Sequence, residues 1–212
     1  MNNIIFKIRS EVEESFSKDS MACHDIEHVF RVVKLAGKIG RAEGCDMEIL
    51  LAAAYMHDLG RPHEFRDPSI CHAKKSVELA KPILEKVGFP AGKIPAVLHA
   101  IECHRYSSGK IPGSLEGKIL QDADRLDVLG AVGIIRVFMY NGLHKRPAYN
   151  REDPFRRKSQ PDDTCALDHF YQKILKLRDT LHTKTAREMA AGRDRFVKGF
   201  LAELENEIGG KK

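Results

Sequence analysis

The stretch Ala52-Ala53-Ala54-Tyr55-Met56-His57-Asp58-Leu59-Gly60-Arg61 decides how this chain is read. Small and apolar side chains, suited to a buried helix, end in an imidazole followed at once by a carboxylate. Burying a neutral polar group without a partner costs roughly 2–7 kcal/mol, and a charge costs more. A divalent metal offsets that cost, because it accepts a neutral histidine nitrogen and an aspartate oxygen together. The stretch predicts a helix from about Met47 to His57, stopped at Gly60 and Pro62, with a metal at its end. A metal in such a place points to an enzyme.

Working outward, helical periodicity recurs along the chain and no convincing strand alternation occurs, so the expected fold is all-α. Ile4, Ile5, Ile8, Val12 and Phe16 mark a first amphipathic helix. Asp25 is the expected N-cap of a second, with Val29, Val32, Val33, Ala36 and Ile39 on its apolar face and Gly44 past its end. A loop rich in Pro, Asp and charge is expected from Arg61 to Ile70. Val77, Leu79, Ala80, Ile83, Leu84 and Val87 form a fourth helix that Pro82 should kink or split. Pro95 to His104 is a fifth, with proline near its first turn, where the missing N–H costs little. Ser114 opens a sixth helix carrying Ile119, Leu120, Ala123, Leu126, Leu129, Val132 and Ile135. Residues 141–163, punctuated by Gly142, Pro147, Pro154 and Pro161, read as a mobile loop or lid. A helical pair follows from Thr164, with Leu167, Phe170, Ile174, Leu177 and Leu181, then Met189, Phe196, Phe200 and Leu204.

The 212 residues allow one large domain with a substantial core. Hydrophobic residues make up 42% and charged residues 31%, which excludes a disordered chain. The net charge of +5 fits an anionic substrate, but an ordinary lysine-bearing surface explains it equally well. Five cysteines, with no C-x-x-C pair and no secretory signal, predict reduced thiols and a cytoplasmic protein. Apolar runs fall short of the roughly 18 residues that a membrane span needs, so no membrane association is expected.

Four positions could converge on one metal: His28, His57, Asp58 and Asp124. Each lies at or near a predicted helix end facing an apolar stripe. Two imidazoles and two carboxylates form a mixed N/O set with room for water. That set favours Mn²⁺, Fe²⁺, Co²⁺, Ni²⁺ or Mg²⁺ over a closed structural zinc site, where cysteine would be expected. Open positions suit hydrolysis, since such an ion lowers the pKa of its bound water.

Three segments carry a resemblance: His24-Asp25-Ile26-Glu27-His28, Met56-His57-Asp58-Leu59-Gly60-Arg61 and Ala123-Asp124-Arg125-Leu126-Asp127. In this order the chain resembles the HD-domain metal-dependent phosphohydrolases, and its remainder looks like a branch of small uncharacterised bacterial members. The resemblance implies a single HD-type helical domain over 1–212, with a catalytic core at about 20–135, the loop at 141–163 and a C-terminal helical extension over 164–208. It implies His28, His57, Asp58 and Asp124 as metal ligands. His72 and His104 match histidines of some family branches. They would complete a two-metal site bridged by Asp58, or serve as proton donors or phosphate contacts in a one-metal site. The one-metal form is favoured, because two-metal branches usually carry adjacent histidines where Arg105 follows His104. Asp58, His72 and His104 are the expected catalytic residues. Arg61 and Arg125 are candidate phosphate ligands or salt-bridge partners of the ligand carboxylates, and Asp127 would orient a ligand.

The resemblance implies a small phosphorylated substrate, a nucleotide above all, cleaved as a nucleoside triphosphate pyrophosphohydrolase or nucleotide phosphatase. The 5′-nucleotidase branch is disfavoured, since Arg61 stands where it usually carries Glu, and Leu59-Gly60-Arg61-Pro62 lacks the acidic pair of the alarmone-hydrolase branch. A two-metal cyclic-nucleotide phosphodiesterase is the alternative reaction. A non-catalytic, metal-stabilised ligand- or nucleic-acid-binding module is the alternative class, supported by the basic Lys145-to-Lys158 loop. Nucleic acid is otherwise not expected as a partner, and a homodimer is left open. The His24-to-His28 segment also resembles the zincin H-E-x-x-H, but Asp25 is one methylene short of that general base.

Overall fold

Four apolar residues spaced three and four apart bury one side of the first helix, α1 (Asn3–Ser17): Ile5, Ile8, Val12 and Phe16. Ile8 and Val12 are fully enclosed, and each such side chain contributes roughly 1.5–3 kcal/mol. The structure, a computed structural model, describes residues 3–17, 26–158 and 160–211. It divides into two compact units, Met1–Asp124 and Arg125–Lys212. The described residues are helical and contain no strand, so the fold class is all-α.

In the first unit, α2 (Ile26–Glu43) ends where Gly44 adopts φ of 75°, a left-handed value that glycine reaches without strain. The proposed cap, Asp25, lies outside the described residues, as do His24 and Cys23. Asp46 starts α3 (Met47–Met56) by accepting hydrogen bonds from the backbone N–H groups of Glu48 and Ile49 at 3.0 and 3.2 Å. Helix α3 packs against α1, α2 and α6 (Ile94–Cys103). That central position explains why Leu50, Ala52, Ala53, Ala54, Tyr55 and Met56 are all buried. A helix covered on every side has no polar face to keep, and three alanines let its neighbours approach closely.

Two expectations need correction here. Arg61–Arg66 is a short helix, α4, rather than a loop; Pro62 sits in its first turn and opens it. Pro82 neither splits nor ends α5 (His72–Lys86). Both Pro82 and Glu78, whose carbonyl loses its N–H partner, are exposed, so water can satisfy what the proline ring removes.

The expected sixth helix is two: α7 (Leu115–Val128) and α8 (Ala131–Leu143). The break falls at Gly130, whose φ of 116° and ψ of −160° suit glycine alone. Arg193 covers this break, donating to the carbonyls of Leu126 and Leu129. Val132 and Ile135, expected in the core, are exposed. The expected C-terminal pair becomes α9 (Ala166–Gln172), a 3-10 segment at Ile174–Thr180, and α10 (Lys184–Ile208). Thr183 caps α10 by accepting from Ala186 N–H. The buried stripe of α10 is Ala186, Ala190, Asp194, Val197 and Leu201, not the stripe through Met189 and Leu204, and Phe196 is exposed. Phe138, Phe170 and Phe200 form the aromatic cluster of this second unit, with ring centroids 6.1–6.3 Å apart. The stretch between α8 and α9 is tied down by Arg156, whose guanidinium grips the fully buried Asp168 and also Asp162. No single helix among the described residues is long and apolar enough to cross a membrane.

Candidate metal centre

His57 and Asp58 sit where α3 runs out, so its buried, small-residue shaft ends in two polar side chains. The turn is held by Leu59 N–H to the Met56 carbonyl at 3.3 Å and Arg61 N–H to the Asp58 carbonyl at 3.0 Å. Gly60 N–H donates to Ser76 Oγ of α5 at 2.9 Å. A Cβ on Gly60 would stand 2.3 Å from the His72 carbonyl oxygen and 2.9 Å from Ser76 N. The glycine therefore lets this turn rest directly on the first turn of α5, which delivers His72.

Six side chains converge in the first unit. His28 Nε2 lies 3.4 Å from Asp58 Oδ2, 3.4 Å from Asp124 Oδ1 and 3.4 Å from His57 Nε2. On the other carboxylate oxygen, Asp58 Oδ1 is 3.4 Å from His104 Nε2 and 3.7 Å from His72 Nε2. Two donor groups capable of holding a metal result, one of His28, His57 and Asp58, the other of Asp58, His72 and His104. Asp58 belongs to both. All five of these residues are buried, whereas Asp124 is partly exposed at its side chain.

The outward ring nitrogens fix which face each imidazole turns inward. His57 Nδ1 meets the Ala54 carbonyl at 2.9 Å and His104 Nδ1 meets the Ile101 carbonyl at 2.6 Å. A carbonyl only accepts, so each Nδ1 carries a hydrogen, and in a neutral ring Nε2 then presents a lone pair. His72 Nδ1 meets Glu64 Oε2 at 2.8 Å, with the same result. Burial pushes the pKa of His57 down to about 4, and burial together with Arg61 pushes that of His72 down to about 3. Both rings are therefore neutral at pH 7. Burial works against an ionised Asp124, but His28 and His57 outweigh it and hold Asp124 well below the usual carboxylate range. Neutral His57 and His72 beside an ionised Asp124, with Asp58 between the histidines, are a donor set that suits a divalent cation, so the residues present fit a metal.

Of the arginines read from the sequence, Arg61 donates from Nε to Asp58 Oδ1 at 3.1 Å and from Nη1 to Glu64 Oε2 at 2.9 Å. Burial opposes its charge, and Asp58 and Glu64 overcome that. Arg125 is buried and donates to the Thr180 carbonyl, with His182 beside it. Asp127 accepts from Arg136 Nη1 at 2.8 Å. Two residues escaped the sequence reading. The charged, proline-bearing stretch after Gly60 predicts a loop at Glu64, whereas Pro62 opens a helix that places Glu64 one turn after Arg61. Arg105 marks, in the sequence, only the lack of a second adjacent histidine; its Nη1 lies 2.7 Å from Glu64 Oε1 and 3.3 Å from Cys71 Sγ. The described cysteines, Cys45, Cys71, Cys103 and Cys165, are free thiols.

The chain as a whole is similar to known proteins. The HD domain family model matches residues 25–129. The uncharacterized protein YpgQ of Bacillus subtilis is 37% identical over 210 residues, covering 96% of this chain and 93% of that protein. This chain belongs to the HD domain family. As a member of the HD superfamily it is grouped with hydrolases. An HD-superfamily hydrolase from Bacillus thuringiensis superposes with a TM-score of 0.75 at 33% identity, over 96% of this chain and 95% of that one. The crystal structure of Bacillus subtilis YpgQ in complex with ADP matches with a TM-score of 0.74 at 32% identity, over 96% of this chain and 94% of that one. His57 and Asp58 lie within the matched residues, and Asp58 is the member common to the two donor groups.

Proposed function

We propose that this HD-family member is a divalent-metal-dependent phosphohydrolase acting on nucleotides, either a nucleoside triphosphate pyrophosphohydrolase or a nucleotide phosphatase. One observation carries the reading: Asp58 offers one oxygen to the His28–His57 pair and the other to the His72–His104 pair. His28, His57, Asp58 and Asp124 would hold one ion; the sequence favours that one-ion form, but the approach of His72 and His104 to the other Asp58 oxygen supports a second ion held by Asp58, His72 and His104. The ions, when bound, supply Lewis acidity toward phosphoryl oxygens and a water acidified to near neutral pH.

The chain's own residues do the rest. The carbonyls of Ala54 and Ile101 keep the His57 and His104 rings in one tautomer. Arg61 holds Asp58 Oδ1 and carries a guanidinium within reach of an anion bound beside it. Its planar fork suits a phosphate. Support for a nucleotide substrate comes from YpgQ, a relative crystallised in complex with ADP. A two-ion centre also serves phosphodiester cleavage, so the sharing of Asp58 favours a cyclic-nucleotide phosphodiesterase as the second reading.

The test is a screen of nucleoside tri-, di- and monophosphates and cyclic nucleotides with Mn²⁺, Co²⁺, Ni²⁺ or Mg²⁺, products being separated by ion exchange. Metal-dependent release of pyrophosphate or phosphate, abolished by chelator, is expected. Ring opening of a cyclic nucleotide alone would select the second reading. No release from any substrate with any ion would overturn the enzyme reading and leave a metal-stabilised binding module.

A further inference from the structure

Within the centre, His57, His104 and His72 differ in what engages Nδ1. His57 and His104 follow the last turns of α3 and α6, and each donates from Nδ1 to the carbonyl three residues back in its own helix. His72 is the first residue of α5. No helical turn precedes it, so no helix carbonyl is available to its Nδ1. Glu64 takes that place, accepting at Oε2 from His72 Nδ1 at 2.8 Å.

The same carboxylate gathers two cations. Arg61 Nη1 reaches Glu64 Oε2 at 2.9 Å and Arg105 Nη1 reaches Glu64 Oε1 at 2.7 Å. Arg105 directly follows His104, and Arg61 also touches Asp58. Without Glu64, Arg61 would keep Asp58 as a partner while Arg105 would lose the carboxylate that balances it, leaving added positive charge beside the Asp58–His72–His104 group. A divalent cation would then enter against that charge. Glu64 thus supplies an orienting hydrogen bond and a compensating negative charge, both on the His72 side of Asp58.

We infer that Glu64 is a positioning residue for the second donor group: through His72, Arg61 and Arg105 it decides whether the Asp58–His72–His104 triad takes up a divalent ion. The inference rests on the metal-dependent reading above. It predicts that the two halves of the centre respond unequally, because Glu64 acts on His72, Arg61 and Arg105, on the His72 side of Asp58.

The experiment titrates Mn²⁺ into the metal-stripped full-length protein, reading stoichiometry and affinity by calorimetry and by elemental analysis after dialysis, with no nucleotide present. Wild type should take up two ions per chain in two steps. Glu64→Ala should weaken one step about 10–100-fold, the range typical when a group orienting a metal-bound histidine is removed, and leave the other within about twofold. Glu64→Gln keeps an oxygen that can accept from His72 Nδ1 but loses the charge, so an intermediate loss in the same step is expected. If Glu64→Ala does not fold, judged by its helical circular dichroism, Glu64→Gln decides alone. Unchanged affinities, or equal weakening of both steps in a folded variant, would overturn the inference. Uptake of a single ion by wild type would overturn it too, while leaving a one-ion phosphohydrolase intact. Uptake of no divalent ion at all would overturn both readings.

Discussion

The Nε2 atoms of His72 and His104 face each other at 3.2 Å while both Nδ1 atoms are engaged elsewhere, with Glu64 and with the Ile101 carbonyl. Two lone pairs directed at one another repel unless a cation lies between them. His104→Ala should therefore reduce Mn²⁺ uptake by one ion per chain, measured by dialysis and elemental analysis. Phosphate or pyrophosphate release should fall at least about tenfold. Retention of the full metal content would refute a ligand role for His104.

Asp58 is the one residue common to both donor groups. Asp58→Ala should abolish retention of either ion and lower metal-dependent hydrolysis by at least about a hundredfold. The check pairs metal analysis with product chromatography. A variant that remains fully active without bound metal would remove the basis of the site.

Gly60 supports the centre by its lack of a side chain. Its position allows no Cβ, which would meet the His72 carbonyl oxygen at 2.3 Å and Lys75 Cβ at 2.8 Å. Gly60→Ala should destabilise the protein by about 1–3 kcal/mol through overpacking, seen in urea unfolding. Because the clash bears on the first turn of α5, it should also displace His72 and weaken metal uptake. An alanine variant as stable as wild type would show that α5 can shift without cost.

His169 lies outside the centre and offers a pH test. Burial and then Lys173 push its pKa down to about 4, below the unfolded value of about 6.5. The fold thus favours neutral His169. Its contribution is complete above about pH 6.5, is lost as pH falls toward 4, and levels off below that. Urea unfolding between pH 8 and 4 should show a shallower decline for His169→Gln than for wild type across this window. Equal slopes would mean that His169 titrates alike in the folded and unfolded chains. A separate decline at lower pH is expected from Asp168, which Arg156 holds below the usual carboxylate range although burial opposes it.

Much of the centre was legible in the linear chain because its logic is local. His57-Asp58 at the end of an apolar run, and Asp124 on a helix with Ile119, Leu120 and Ala123, are polar groups where periodicity demands burial, and the mismatch is visible without coordinates. Helices α1, α2, α3 and α6 were likewise readable from spacing and turn residues. The reading failed where two local rules competed. Pro62 reads as a stop, although proline also opens helices. Pro82 reads as a break, although both it and Glu78 face water. The single helix through Leu129 ignored Gly130, whose backbone only glycine adopts readily.

The sequence by itself determined the helical class and four candidate metal ligands, because residue type and spacing encode burial and ligand chemistry, while His72 and His104 entered through the family resemblance. Only the tertiary structure decided how those donors group. Asp58 faces two histidine pairs with different oxygens, and Glu64 joins His72 to Arg61 and Arg105 across separate helices. Such grouping depends on the distance between α4, α5 and α6 at one end, set by Gly60 against α5. No local pattern of residues carries that distance.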